Sequence, residues 1–239
     1  MVLLHGAGGS HLSWPPQIRR LSGQRVFTLD LPGHGKSEGL GRQDIGEYGK
    51  AVFEFMKALR LASAVVVGFS MGSAIALSLA LGYRKRVLGL ALLGSGAKMR
   101  VATSTLELAS NPSTFLPTVE TVIENSYSPD VDPRVKELAV QQMAETRQAV
   151  LYSDFLACDA FDAMDRVNKI RVPTLLITGS ADRMTPPNRA QYLHDQMEGA
   201  ELKIVEGAGH MVMIEQPDEV VELLTEFLDR IPYKKLVRT

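Results

Sequence analysis

Short runs of apolar, β-branched residues alternate along the chain with longer runs whose apolar positions recur every three or four residues. Residues 1–5 open with Val-Leu-Leu and stop at Gly6. Residues 25–30 read as a second strand that ends in a Pro-Gly turn. Residues 44–59 carry Ile45, Tyr48, Val52, Phe55, Met56 and Leu59 on one stripe, the spacing of an amphipathic helix. Residues 63–68 contain Ala-Val-Val-Val and predict a buried strand, and 71–81, rich in Ala, Leu and Ile, predict a buried helix. Further strands are expected at 87–93, 173–178 and 202–205, the last two each followed by a helical pattern. Near-continuous apolar strands alternating with helices imply a parallel sheet covered on both faces.

Residues 98–165 break the alternation, showing only helical patterns with Pro and Ser breaks. The stretch carries eleven Asp or Glu against five Lys or Arg. It reads as an all-helical insertion between two strands, and long insertions over a sheet often form lids or binding walls. The expected organisation is a core of residues 1–97 and 166–239 with a helical cap or lid at 98–165. The tail, 231–239, is basic and is expected to fray.

Composition narrows the function classes. Of 239 residues, 45% are hydrophobic and 22% charged, the balance of a globular protein with a sizeable core. The net charge of −1 offers no electrostatic footing for nucleic acid or an anionic membrane. No apolar stretch is long enough to span a bilayer, and no secretory signal is visible, so a cytoplasmic location is the expectation. The single cysteine, Cys158, excludes an internal disulfide and reads as a small buried hydrophobe.

Gly68-Phe69-Ser70-Met71-Gly72 matches G-x-S-x-G, but so does Gly35-Lys36-Ser37-Glu38-Gly39. Context separates them. Ser70 follows Ala64-Val65-Val66-Val67 and precedes Ala74-Ile75-Ala76-Leu77, which gives strand, sharp turn and helix without slack. A serine there sits on strained backbone, and flanking glycines keep the turn free of clashes. The helix N-terminus beside it favours developing negative charge. Ser37 has no helix after it. Gly35-Lys36-Ser37 also resembles the end of a phosphate-binding loop, but that motif needs a glycine where Asp30 stands.

A serine hydroxyl needs a base, and the base needs an orienting carboxylate. Of five histidines, His5, His11, His34, His194 and His210, only His210 follows a late strand in a Gly-Ala-Gly-His turn. That is the carboxyl edge of the sheet, where sites in open α/β sheets form. His194 lies in a helical pattern and reads as surface, and His34 sits in a Pro-Gly-His-Gly turn. Asp182 follows strand 173–178 in Gly179-Ser180-Ala181-Asp182, while the rival loop Gly94-Ser95-Gly96-Ala97 has no carboxylate. An oxyanion would be met by the backbone N–H groups of Met71 and of Ala7 in the loop His5-Gly6-Ala7-Gly8-Gly9. Trp14, Phe69, Met184 and Met211 are candidate pocket walls, with His11 as a polar contact near the first loop.

Taken together, His5-Gly6-Ala7-Gly8, the run from Asp30 to Ser37, Gly68 to Gly72, Gly179 to Asp182 and Gly207 to His210 resemble the α/β-hydrolase fold family. The likeness is to its small, lid-bearing, esterase-like branch. The resemblance implies an α/β fold with a doubly wound, mostly parallel sheet, an all-helical cap and no cofactor or metal. Family members usually carry an antiparallel hairpin before the His-Gly strand. This chain starts at that strand, so the N-terminal edge hairpin is expected to be absent from it: either the fold lacks these two edge strands or the sequence begins at an internal methionine. Ser73 stands where many relatives have another glycine, with little effect expected.

Three functions fit these residues. The first is hydrolysis of carboxylic esters through an acyl-enzyme on Ser70, with His210 shuttling the proton and Asp182 holding His210. The second is carbon–carbon bond hydrolysis of dicarbonyl compounds, with Arg100, Arg134 or Arg147 holding an anionic group, although the acidic cap weighs against one. The third is a signal-binding regulator of the same fold with slow turnover. The expected partner is a small ester or related acyl compound. A homodimer stays open, and nucleic acid and a membrane span are not expected.

Overall fold

The computed structural model describes residues 1–232, so the tail from 233 onward, expected to fray, lies outside the described residues. The chain runs β1 (Val2–Leu4), α1 (Pro16–Arg19), β2 (Phe27–Leu29), α2 (Ile45–Ala58), β3 (Ala64–Phe69), α3 (Met71–Gly82) and β4 (Val87–Leu93). Then come α4 (Thr103–Ser110), α5 (Phe115–Ser126), α6 (Pro133–Ala144) and α7 (Gln148–Ala160). It closes with β5 (Thr174–Gly179), α8 (Pro187–Gln196), β6 (Ala200–Val205), α9 (Val212–Glu215) and α10 (Pro217–Arg230).

The six strands form one sheet in the order β2-β1-β3-β4-β5-β6, and every pairing is parallel. Among the described residues no antiparallel hairpin flanks β2, the edge strand. β3 and β5 are buried along their whole length, as apolar strands covered on both faces must be. Side chains alternate between the faces with period two. Val2, Leu4, Val66, Leu92 and Leu176 pack with α2, α3 and α8 on one side. Leu3, Val65, Val67, Leu93 and Ile177 pack with α1 and α10 on the other. The expected doubly wound α/β architecture is therefore present.

α2 buries Ile45, Tyr48, Val52 and Met56, and the Asp44 carboxylate caps it by accepting from the Glu47 N–H at 3.0 Å. β1 and β2 are each shorter than their apolar runs suggest. The ladder stops because the Leu31 N–H donates to His5 Nε2 at 3.1 Å and not to a strand carbonyl.

Residues 98–165 are helical as expected, with α4 to α7 between β4 and β5. Pro112 and Pro133 start helical turns behind the capping side chains of Asn111 and Asp132. The two ends of the insertion meet in a bridge between Lys98 and Asp162, beside the bond from the Ala163 N–H to the Ala97 carbonyl at 2.8 Å. Val119, Ile123, Leu151 and Phe155 give these helices a cluster of their own.

Candidate active site

Ser70 stands between β3 and α3 with φ 53° and ψ −117°. This is a left-handed conformation that a side chain disfavours, costing on the order of 1–3 kcal/mol. The neighbours on either side, Phe69 and Met71, are buried, each contributing roughly 1.5–3 kcal/mol, so the surrounding packing holds the strain. The turn is too tight for side chains at its glycines. A Cβ on Gly68 would lie 2.2 Å from the Gly72 carbonyl oxygen, and one on Gly72 would lie 2.1 Å from the Leu4 carbonyl oxygen. The Ser70 N–H donates to the Leu93 carbonyl at 2.9 Å, which ties the turn to the end of β4. Ser73 does more than fill a glycine's place: its hydroxyl donates to the Ser70 carbonyl at 2.6 Å.

The loops after β5 and β6 bring Asp182 and His210 together. His210 Nδ1 lies 2.8 Å from Asp182 Oδ2, and both side chains are buried. A carboxylate only accepts, so Nδ1 carries the proton and Nε2 is left for another partner. Asp182 also accepts from the Met184 and Thr185 N–H groups and from the Thr185 hydroxyl, each at 2.8 Å. Burial pushes the Asp182 carboxyl up, but the His210 charge and these donors outweigh it and hold the group below its ordinary value. His210 packs on Gly94, whose φ is +55° and where a Cβ would lie 2.7 Å from His210 Cε1. Gly94 directly follows Leu93, the residue that accepts from Ser70, so the three candidate residues converge on the carboxyl ends of β3, β4, β5 and β6.

Ser70 and His210 both line a cavity of about 370 Å³. Ala7, Trp14, Phe69, Met184 and Met211 also line it, joined by Val122, Ile123, Tyr127, Ala139, Met143 and Phe155 from the insertion. The walls are mostly apolar. The Met71 side chain turns into the core, away from this lining, so only its backbone N–H is on offer. As the first residue of α3, it has no acceptor for that N–H within its helix.

Other sequence candidates go elsewhere. The Ser37 hydroxyl donates to the Asp30 carbonyl at 2.7 Å and lies in a turn away from the cavity. His11 pairs with Asp30, Nδ1 to Oδ1 at 2.9 Å, and does not reach the cavity as a polar contact. The reason is local: the His11 N–H also binds Asp30, at 2.6 Å, fixing the residue toward β2. His194 is exposed, as expected of a surface helix. Cys158 is buried, and burial drives its thiol pKa upward, the opposite of an activated thiolate. Arg134 is exposed and outside the cavity lining, and Arg147 donates to the carbonyls of Gly33 and Gly39. Arg100 lines the cavity, close to Asp159.

Three residues around the site carry no motif. Thr185 holds Asp182 as described. Glu215 accepts from the Gly209 and Ser128 N–H groups, both at 3.0 Å, and so ties the His210 loop to the insertion. Asp154 accepts from the Gly8 N–H at 2.9 Å across 146 residues of chain. The short spacing from Asp182 to Thr185 is the one signal that sequence could have offered.

Residues 1–223 match the model of a protein family described as the alpha/beta hydrolase family. The chain belongs to the alpha/beta hydrolase family. It is 26% identical to 3-oxoadipate enol-lactonase 1 of Acinetobacter baylyi over 97% of this chain and 89% of that protein. It is also 26% identical to a 2-hydroxy-6-oxononadienedioate/2-hydroxy-6-oxononatrienedioate hydrolase of Burkholderia vietnamiensis, over 96% and 87% of the two chains. A solved structure of a thermophilic esterase superposes with a TM-score of 0.85 at 29% identity, covering 96% of this chain and 89% of the other. These relatives make the chain a hydrolase of the α/β fold. Among the described residues no helix is long and apolar enough to cross a membrane.

Proposed function

We propose that this hydrolase cleaves carboxylic esters through an acyl-enzyme on Ser70. The observation that carries the reading is His210, held by buried Asp182 at 2.8 Å, lining the same apolar cavity as a serine on strained backbone. Ser70 Oγ attacks the ester carbonyl carbon while its proton passes to His210 Nε2. The carbonyl oxygen becomes an oxyanion, met by the N–H groups of Ala7 and Met71. The intermediate collapses, His210 returns the proton to the leaving alkoxide, and an acyl-Ser70 ester remains. Water, deprotonated by His210, then releases the acid. Asp182 stays ionised and holds the imidazole in the tautomer that both steps need.

Residues 98–165 act as the cap over this site, with 1–97 and the described residues from 166 onward as the core. Trp14, Phe69, Met184 and Met211 form apolar walls for the acyl or alcohol group. A cavity of about 370 Å³ suits a short or medium chain. A panel of p-nitrophenyl esters tests the reading: acetate to hexanoate turn over steadily, and palmitate does not. A single labelling event with no steady-state rate would favour the signal-binding reading instead.

Carbon–carbon bond hydrolysis is the second reading. The likeness to the Burkholderia hydrolase and the place of Arg100 at the cavity favour it. Turnover confined to vinylogous diketones, with p-nitrophenyl esters untouched, would establish it over ester cleavage.

A further inference from the structure

Gly8, beside Ala7 in the first loop, is gripped at both ends of its backbone by residues of the insertion. Its N–H donates to Asp154 Oδ2 at 2.9 Å, and its carbonyl accepts from Thr146 Oγ1 at 2.8 Å. Asp154 lies on α7, and Thr146 in the turn between α6 and α7. Both are buried.

Asp154 is itself locked from below. Its Oδ2 meets His34 Nε2 at 2.7 Å, and its Oδ1 accepts from the Tyr48 hydroxyl at 2.5 Å. Burial opposes a proton on His34, yet the Asp154 hydrogen bond and charge outweigh it and hold that ring above its ordinary value. The carboxylate is therefore a paired, fully bonded group rather than a bare buried charge. Tyr48 comes from α2 and His34 from the turn after β2, so one carboxylate joins the insertion, the core and the first loop.

We propose that Thr146 and Asp154 are positioning residues that fix Gly8, and through it the Ala7 N–H, where the oxyanion forms. The proposal rests on the ester-hydrolase reading above. The loop closes on itself through the Gly9 N–H, which donates to the Gly6 carbonyl at 3.1 Å, but its glycines at 6, 8 and 9 leave the Ala7–Gly8 and Gly8–Gly9 peptides between those ends without a further bond inside the loop. An oxyanion donor must sit about 2.7–3.1 Å from the developing charge. A shift of about 1 Å costs on the order of a hundredfold in rate. The two bonds to Gly8 fix the peptide planes that this single turn bond leaves free. It follows that α7 and the turn before it are docked while the oxyanion forms, because lifting them would release Gly8 at both ends.

Thr146→Val removes the hydroxyl at constant shape, and Thr146→Ser restores it. Asp154→Asn keeps the shape of the second partner and is admitted to the comparison after thermal unfolding shows it folded. Each protein is assayed with p-nitrophenyl butyrate and with two inhibitors of similar size. 1,1,1-Trifluoro-2-hexanone accepts Ser70 Oγ at its carbonyl carbon, sends the proton to His210 and leaves an oxyanion. 2-Hexanone fills the pocket and tests shape alone. Thr146→Val is expected to lower kcat and weaken the trifluoro ketone by about tenfold or more, with KM and 2-hexanone binding within about twofold. Thr146→Ser is expected to recover most of both losses, and Asp154→Asn to follow Thr146→Val. Wild-type kcat and trifluoro ketone binding in Thr146→Val would overturn the proposal, and so would equal weakening of both ketones. A wild-type protein that neither hydrolyses the ester nor binds fluorophosphonate at Ser70 would instead overturn the underlying reading, and this one with it.

Discussion

His210 Nδ1 donates to Asp182 Oδ2 across 2.8 Å, and the same carboxylate oxygen accepts from the Thr185 hydroxyl at 2.8 Å. The bond fixes which imidazole nitrogen is free and leaves Asp182 ionised beside it. Asp182→Asn would present an amide that can donate to Nδ1 and stabilise the wrong tautomer. Its kcat is expected to fall by about 10⁴, with His210→Ala at least as severe, in steady-state ester assays. Because the Asp182 carboxyl is held low, its share of stability is present above pH about 4 and is lost as pH falls through the lowered value.

Thr185→Val keeps the shape and removes one donor to Asp182. A hydrogen bond to a charged group contributes about 1.5–3 kcal/mol. Part of that reaches the rate, so kcat is expected to fall by roughly tenfold with KM little changed. Rate measurements on matched Thr185→Val and Thr185→Ser proteins check it, since the serine keeps the donor.

Gly72→Ala would push a methyl group to 2.1 Å from the carbonyl oxygen of Leu4, which ends a strand paired on both sides and cannot step aside. Overpacking of this kind costs about 1–3 kcal/mol or more. Urea denaturation is expected to show a loss at or above the upper end, with a Gly82→Ala control, where the added Cβ meets open space on helical backbone, losing much less.

His5 and His34 have ring centroids 4.8 Å apart and shift in opposite directions. Burial, and next the neighbouring His34, push His5 down to about 4, so the folded protein keeps this ring neutral. The unfolded chain takes up a proton there near pH 6.5. Stability that His5 contributes is therefore full above pH 6.5 and declines from 6.5 toward 4, by on the order of 3 kcal/mol at 1.36 kcal/mol per unit. His34 acts with the other sign: its contribution is full below pH 6.5 and is lost as pH rises through its raised value. Denaturation midpoints across pH 4 to 7 are expected to be flatter in His5→Asn than in wild type. Parallel curves would contradict the assignment.

The fold and the candidate trio are legible in sequence because each depends on short-range pattern. β3, the turn at Ser70 and α3 fall within one apolar strand and one apolar helix, and Asp182 and His210 each follow a strand closely. Chain proximity misleads for His11, which sits beside the first loop yet is claimed by Asp30. The polar frame of the site is not legible at all. Asp154 and Thr146 reach Gly8 across 146 and 138 residues, and Glu215 reaches Ser128 across 87. Asp154 and Glu215 are ordinary polar residues in helices and Thr146 is one in a turn between helices, and no periodicity encodes a partner in a distant loop. Arg147 likewise reads as a ligand for an anion but spends its donors on turn carbonyls.

Intact-mass spectrometry after treatment with a fluorophosphonate tests the role of Ser70 most directly. The wild-type protein is expected to gain one phosphonyl group, mapped to Ser70, with ester turnover lost in proportion. Ser37→Ala should label and turn over as wild type does, and Ser70→Ala should do neither. Labelling or turnover that survives in Ser70→Ala would contradict the assignment.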